Sequence, residues 1–417
     1  MTDRIVANVT CLGCGCACDD ITVVVTEDRI ADARNACALG TAWFGDGTVP
    51  AETRVNGRSA SLEQALTEAA RLLSGANRPL VYLAGDVSCE TQREGVAIAD
   101  RLHAAIDSLA ATAAAAVLAA QRRGRAGATL GEIRQQADLV VFWGVDPSAR
   151  YPRYASRYAV EPPGVATAQG RASRTLIAVD VGDSRGPAEA DRRVAIAPAD
   201  EVDGLGMMRA AVHGRAVDDE ERFRSVVELA RRMTGARYVA IVADSEPGLI
   251  PADPARAEAL VTLAQALNGP TRCALSTLRG GGNRSGADAV LTWQTGFPFA
   301  VDFARGYPSY QPQAGAAALL DGGEVDAALI IGTPASLPEP VAAGLSRVRS
   351  VVIGPRASAA TFQPAVAVDT GEAGIHEGGT AFRMDDVPLP LRPSLEGGVR
   401  AAFVTVRTLR ERMGARA

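Results

Sequence analysis

Short, unbroken apolar runs recur along the chain, separated by stretches of helical period. Leu80–Asp86, Leu139–Asp146, Leu176–Gly182, Val239–Asp244, Ala327–Gly332 and Val351–Gly354 are of strand length, and each ends in Gly, Asp or both. A run that is apolar at successive positions suits a strand buried on both faces. Glu90–His103, Val202–His213, Asp219–Met233 and Pro254–Leu267 carry the helical pattern between them. Strands of this kind alternating with helices predict parallel sheets joined by right-handed crossovers. Ligands of such sheets bind at the carboxyl ends of strands. The Gly and Asp endings fit that placement, although turns after strands have the same composition.

Before this rhythm begins, Ile21–Val25 and Arg29–Ala33 predict a hairpin turning at Glu27-Asp28. Leu62–Leu73 reads as a helix with Ser61 as its N-cap. The fold class expected is α/β, with several doubly wound, mostly parallel sheets and a small N-terminal cysteine-rich domain. The domains expected are residues 1–50 for the cysteine-rich part, 51–180 for a first α/β domain, 181–360 for a second, and 361–417 for a C-terminal segment returning to the earlier one. A chain of 417 residues suits two or three domains.

Composition narrows the chemistry. Apolar residues make up 47% and charged residues 22%, so the chain can bury a sizeable core. The net charge of −5 gives no electrostatic reason to expect nucleic acid. Every basic residue is Arg, which excludes Schiff-base chemistry and a Walker lysine. His103, His213 and His376 lie far apart in the sequence, which argues against a histidine-rich metal site. No signal-peptide pattern is visible near Met1, and the Ala-rich run Leu109–Ala120 is too short and too weakly apolar to span a bilayer. The expected location is cytoplasmic.

Cysteines supply the strongest local signal. Five of the seven fall between Cys11 and Cys37, with Cys89 and Cys273 isolated. Cys11, Cys14 and Cys18 follow the order C-x2-C-x3-C, a spacing that lets a tight loop aim three sulfurs at one centre, and Cys37 can close a fourth corner. Four thiolates suit an iron–sulfur cluster or a tetrahedral zinc. Cys16 is the odd one out. The bland alternative, scattered buried thiols behaving as small hydrophobes, fits this density poorly.

Other motifs are weaker. Arg279-Gly-Gly-Gly-Asn-Arg-Ser-Gly286 can cradle a phosphate on successive N–H groups, or be a plain flexible turn. Asp19-Asp20 reads better as capping N–H groups beside the cysteine loop than as an acid/base pair, and Asp385-Asp386 reads as a turn. Two long irregular segments, Pro147–Pro163 and Gly280–Pro312, are rich in Arg and aromatic residues. Such loops usually build a binding surface or an interface rather than cover a sheet edge.

Taken together, several phrases resemble the B subunit of formylmethanofuran dehydrogenase, within the molybdopterin oxidoreductase superfamily. They are Cys11-x2-Cys14-Gly-x2-Cys18-Asp-Asp-Ile21 with Asn35-Ala-Cys37; Trp143-Gly-Val-Asp-Pro147 with Tyr151-Pro-Arg153 and Ser156-Arg-Tyr158; Leu291-Thr-Trp-Gln-Thr-Gly-Phe-Pro298 running on to Arg305-Gly-Tyr307; and Gly379-Thr-Ala-Phe-Arg-Met-Asp385 with Val387-Pro-Leu389. The resemblance implies a 4Fe–4S cluster on Cys11, Cys14, Cys18 and Cys37, and α/β domains that bind a pterin-held tungsten or molybdenum. It also implies a metal-gripping Cys or selenocysteine between the second helix and the Trp-Gly strand. Here that segment is Asp107–Leu118, which holds no Cys and no His. An alanine methyl cannot replace a soft thiolate, so a tungsten or molybdenum pterin is expected to be absent. A relative within the family fits that loss: the formyltransferase/hydrolase complex of methylotrophs, which converts formyl-tetrahydromethanopterin to formate without redox chemistry.

The expectation is therefore a non-catalytic structural B subunit of that complex in one-carbon (formaldehyde) oxidation, with subunits A, C and D as partners and neither nucleic acid nor membrane among them. The cysteine site would then hold a 4Fe–4S cluster or zinc, or be vestigial and empty. The rivals are an active tungsten/molybdenum pterin formylmethanofuran dehydrogenase subunit, with Cys89 or an oxygen as metal ligand, and a free-standing metal-binding interaction protein.

Overall fold

The computed structural model describes residues 3–111, 114–216, 220–244, 254–313, 315–395 and 397–413. The chain opens with β1 (Arg4–Val9), β2 (Ile21–Thr26), β3 (Arg29–Arg34) and helix α1 (Ala38–Phe44). Then come β4 (Thr53–Val55), β5 (Arg58–Ser59), α2 (Leu62–Ser74), β6 (Pro79–Leu83), α3 (Cys89–Leu102) and β7 (Ala105–Ser108). A middle stretch holds α4 (Ala115–Arg123), α5 (Leu130–Gln136), β8 (Leu139–Trp143), β9 (Thr175–Val181), β10 (Arg192–Ile196), α6 (Glu201–Val212), α7 (Glu221–Met233), β11 (Tyr238–Asp244), α8 (Pro254–Leu267) and β12 (Arg272–Leu278). The last part begins with α9 (Arg284–Thr295), β13 (Val301–Asp302), β14 (Ser309–Tyr310), α10 (Ala316–Asp321), β15 (Ala327–Ile331), α11 (Glu339–Leu345) and β16 (Arg349–Gly354). It ends with β17 (Val366–Asp369), β18 (Gly379–Phe382), β19 (Pro388–Leu391) and α12 (Ala402–Arg412).

These elements form two compact units: residues 1–111, 281–383 and 388–417 make the first, and 112–280 with 384–387 make the second. The first unit contains a nine-stranded sheet in the order β14-β13-β7-β6-β15-β16-β17-β4-β5. Its centre, β7 to β17, is parallel, while β13–β14 and β4–β5 join antiparallel at the two edges. The sheet is thus mixed rather than uniformly parallel. Alternate residues feed two separate cores: Val81, Leu83, Leu329 and Ile331 face the core that takes Leu66, Ile98 and Val406 from α2, α3 and α12. Leu80, Tyr82, Ala328 and Ile330 face the other, which takes Leu319 and Leu320 from α10 and Leu345 from α11. Continuous apolar runs arise because both faces are covered.

The second unit holds a five-stranded, wholly parallel sheet in the order β10-β9-β8-β11-β12. Leu139, Val141 and Trp143 of β8 pack on one face with residues of α6, α7 and α8. Strand β8, which the domain boundaries drawn from sequence group with β6, belongs with β9 and β11 here.

Local chemistry explains several boundaries. The hairpin β2–β3 turns on Glu27 and Asp28, both at positive φ (52° and 57°), the geometry of a tight hairpin turn. At the start of α2, Ser61 accepts from the Gln64 N–H while the Gln64 side chain accepts from the Ser61 N–H, a reciprocal cap. The expected helix beginning at Asp219 is seen from Glu221, residues 217–219 lying outside the described set.

Two expectations need correction. The cysteine-rich stretch is not a separate domain but part of the first unit, where β1, β2 and β3 form a three-stranded antiparallel sheet. Gly280–Pro312 is not irregular throughout, since α9 occupies its middle with Ala287, Val290 and Leu291 buried. Asp107, the first residue of the segment expected to lack a metal ligand, lies in strand β7, where its buried carboxylate accepts N–H bonds from Ser108 and Ala316, both at 2.8 Å. Among the described residues no helix is long and apolar enough to cross a membrane.

Candidate functional site

Cys11, Cys14 and Cys18 lie on the loop between β1 and β2, and Cys37 immediately precedes α1. The loop closes on itself: Cys11 N–H donates to Cys18 O at 2.9 Å, and Ala17, at φ +37°, donates to Cys14 O at 3.1 Å. Gly13 N–H points at Cys11 Sγ at 3.4 Å. Gly40 in α1 lies against this group: a Cβ there would sit tightly, 3.3 Å, from Ala36 Cβ and Cys11 Sγ, and at ordinary contact, 3.9 Å, from Cys37 Sγ. A helix-interior glycine carries a propensity cost of about 1 kcal/mol, and the tight approach of Ala36 and Cys11 is what a larger residue would meet there.

The thiols feel one another. Burial pushes the Cys11 thiol far above its usual range, and neighbouring Cys14, Cys18 and Cys37 push it further. Cys16 is also raised, first by its hydrogen bond with Cys14, then by burial and by the same three neighbours. Without a cation Cys11 and Cys16 are therefore neutral thiols. Among the described residues no three His, Cys, Asp or Glu side chains are arranged as a metal-holding set. The donor chemistry, four thiols near enough to act on one another, is nonetheless of the kind an iron–sulfur or zinc centre uses.

Glycines also fix the loop's surroundings. A Cβ on Gly281 would lie 2.3 Å from Leu12 O, 2.7 Å from Gly13 C and 2.8 Å from Cys14 N, so only glycine allows the two backbones to touch. Gly282 N–H donates to Leu12 O at 2.8 Å, and Gly282 O accepts from Asp86 N–H at 3.1 Å. Trp43 Nε1–H, on α1, donates to Asp86 Oδ1 at 3.3 Å. The cysteine loop is thus tied to the turn after β6, at the carboxyl end of a central strand. The glycine triplet, read from sequence as a phosphate cradle or a flexible turn, instead spends its Gly282 N–H on the cysteine loop. Asp20 likewise accepts from the Asn35 amide at 2.8 Å, an architectural bond.

The isolated cysteines are buried. Cys89, first residue of α3, has its thiol pushed up to about 12 by burial, and its sulfur meets Asn283 Nδ2 at 3.6 Å. Asn283, itself at φ +59°, also donates to Val87 O and accepts from Phe382 N–H, both at 2.9 Å. Cys273 lies within β12 and is likewise held as a thiol by burial. Asp385 and Asp386 do form a turn: Asp386 has φ +61° and pairs with Arg125, while Asp385 accepts from Leu130 N–H at 2.6 Å.

No protein-family model matches the chain. Whole-chain relatives do. It is 32% identical over 414 residues to the B subunit of the tungsten-containing formylmethanofuran dehydrogenase 2 of Methanocaldococcus jannaschii, covering 94% of each chain. The chain belongs to the family of formylmethanofuran dehydrogenase B subunits. The Methanococcus maripaludis counterpart is 30% identical, with 92% of this chain and 93% of the relative covered. The B subunit of the formyltransferase/hydrolase complex Fhc of Methylorubrum extorquens is 30% identical over 296 residues, or 69% of this chain and 75% of that one. The fold also matches a chain in the crystal structure of the Methylorubrum extorquens FhcABCD complex with methylofuran, at a TM-score of 0.71 and 26% identity, covering 87% of this chain and 98% of the other.

Proposed function

We propose that this family member is a non-catalytic B subunit of a cytoplasmic formyltransferase/hydrolase complex in one-carbon oxidation, with subunits A, C and D as its partners and the transfer and hydrolysis sites on other chains. The observation that carries the reading is the missing heavy-metal ligand. Asp107–Leu118 offers no sulfur or imidazole, and its one carboxylate, on Asp107, is committed to backbone N–H groups. Cys89 is a buried neutral thiol held by Asn283. These groups do not fit a soft-thiolate grip on a pterin-held tungsten or molybdenum. The likeness to the Fhc relative and to the FhcABCD fold supports the same reading.

In this reading Cys11, Cys14, Cys18 and Cys37 would hold a 4Fe–4S cluster or zinc as a fastener, because metal binding contributes folding free energy directly. Such a centre supplies cross-linking of the loop; the surrounding Gly281, Gly282 and Trp43 contacts transmit that order to the turn after β6. The competing reading, a tungsten or molybdenum pterin dehydrogenase subunit, draws on the longer match to the methanogen enzymes. Metal and pterin analysis of the complex purified from its native host decides between them. We expect formyl transfer and hydrolysis without tungsten or molybdenum; a stoichiometric pterin-bound metal in this chain overturns the proposal. In the same complex, Cys14→Ser should lower the melting temperature more than it lowers turnover. Unchanged melting with lost turnover would contradict the fastener role.

A further inference from the structure

The second unit carries a groove that its own fold leaves unfilled. It runs between α6 and α8 as two adjoining hollows of about 530 and 520 Å³, which share Gly206, Arg209 and Thr262. Each falls within the size range of small-molecule sites. The α6 wall is Val202, Leu205, Gly206, Arg209, Ala210 and His213, successive members of one helical face. Gly206 is the telling position. Glycine is costly inside a helix, yet a Cβ there would meet nothing within 4 Å. No packing within the chain calls for the missing side chain; its absence keeps the floor of the groove open.

Charge sets the ligand's chemistry. Arg209, His213 and Arg215 line the same hollow, and among the described residues no side-chain hydrogen bond or ion pair engages any of the three. The end of α6 fixes where Arg215 starts: Gly214, at φ +69°, donates to Ala211 O at 3.0 Å, and Arg215 N–H donates to Ala210 O at 3.0 Å. A helix dipole favours cations near its last turn, which accounts for their sign but not for their lining one hollow. Among the described lining residues only Glu258 carries a carboxylate, and Arg123 pairs with it at 2.5 Å. Gln265 donates to Arg123 O at 2.6 Å and Thr262 to Ala259 O at 3.1 Å. Two guanidiniums and an imidazole are thus the groups left for a ligand.

We propose that the groove between α6 and α8 binds a small organic phosphate, with Arg209, Arg215 and His213 taking the phosphoryl oxygens and the floor at Gly206 and Ala210 taking the apolar body. Two guanidinium forks suit a dianion with three acceptor oxygens better than they suit a single carboxylate. The site lies wholly within the second unit and stands apart from the cysteine loop and from the subunit reading.

The test is titration calorimetry of the purified full chain with inorganic phosphate and with phenyl phosphate, at physiological salt so that diffuse attraction is screened. Wild type should bind both saturably, phenyl phosphate the more tightly. Arg209→Ala with Arg215→Ala should weaken both by about tenfold or more, the loss expected for charge-assisted hydrogen bonds. Arg192→Ala with Arg231→Ala, which removes the same charge from exposed positions outside the groove, should change neither. Gly206→Leu should keep the affinity for inorganic phosphate, lose the advantage of phenyl phosphate, and raise the melting temperature, because leucine is the better helix former. No saturable binding by wild type overturns the proposal, as does an equal loss in the two double variants, which would reflect net charge alone. Equal wild-type affinity for the two probes assigns the site to free phosphate and overturns the organic ligand. Unaltered phenyl phosphate binding by Gly206→Leu removes the floor from the site and overturns it as well.

Discussion

Pro147–Pro163 and Gly280–Pro312 look alike in sequence and end in opposite states. In the first, Tyr151, Tyr154 and Tyr158 all turn inward and are buried, around a π-helical turn at Ala155–Ala159. Tyr154 Oη bonds Ser276 Oγ at 2.9 Å, and Arg150 pairs with the buried Asp244 at 3.1 Å. A single buried side chain, Arg174, stitches the loop's underside by donating to the carbonyls of Val160, Pro162 and Arg134 and to Thr167 Oγ1, all within 2.7–2.9 Å. In the second, only Phe303 turns fully inward among the aromatic residues after α9, while Trp293 and Tyr307 face solvent. Aromatic and Arg content therefore says that a loop matters without saying whether it serves the core or a partner. What separates the two is where the loop's carbonyls and carboxylates find their cations.

Substitutions can break this contrast, beginning with the largest effect. Gly281→Ala, at the head of the second segment, drives a Cβ into Leu12 O and Cys14 N, backbone that cannot swing away. It should cost more than about 4 kcal/mol, in the extreme tail of single substitutions, read as loss of soluble protein or a steep drop in denaturant midpoint. Tyr154→Ala in the first segment should cost about 3–4 kcal/mol by removing a fully buried ring and orphaning Ser276, again in chemical denaturation. A cost below about 1 kcal/mol would mean that the first loop is not core.

Asp302→Asn comes next. Burial pushes this carboxyl up, but the Arg78 guanidinium, the Ala304 N–H and Arg305 together hold it below the usual carboxylate range. A depressed folded-state pKa stabilises above the unfolded value of about 3.9 and loses that contribution as pH falls through the lower folded value. The stability gap between wild type and Asp302→Asn should thus be about 1–2 kcal/mol at neutral pH, hold down to about pH 5, begin to shrink near about pH 3.9, and be lost only as pH falls through the lower folded-state value. A gap that grew on acidification would refute the pairing. The smallest effect belongs to Trp293→Ser, at a half-exposed ring, within about 0.5 kcal/mol in chemical denaturation.

Much of the architecture was legible because the central strands are apolar on both faces, so Leu80–Leu83, Val239–Ala243 and Ala327–Ile331 announce themselves. β7 was not, since Asp107 breaks its apolar run, and the N–H groups of Ala316, Ser108 and Ala300 that make a carboxylate tolerable there come largely from distant segments. α9 hid behind its opening Gly-Gly-Gly-Asn. The first loop did carry an unread clue: Tyr151, Tyr154 and Tyr158 recur at i, i+3 and i+7, the spacing of one buried helical face. For the cysteines, spacing named Cys11, Cys14, Cys18 and Cys37 but could not reveal that Gly40 packs against Cys11 or that Gly281 touches the loop's backbone. Those are contacts between segments far apart in the chain, and no local pattern encodes them.

The nesting of one unit inside the other has a consequence for how the polypeptide is made. Strand β6 is translated early, yet β15, its neighbour in the nine-stranded sheet, emerges only after the whole second unit save its residues 384–387. At ribosomal speed this leaves the β15-facing edge of β6 unpaired for roughly ten to fifty seconds. The nascent chain thus carries a sticky flank while all of its later-encoded neighbour but residues 384–387 is already made, and a stalled ribosome at that stage would release a product primed to aggregate.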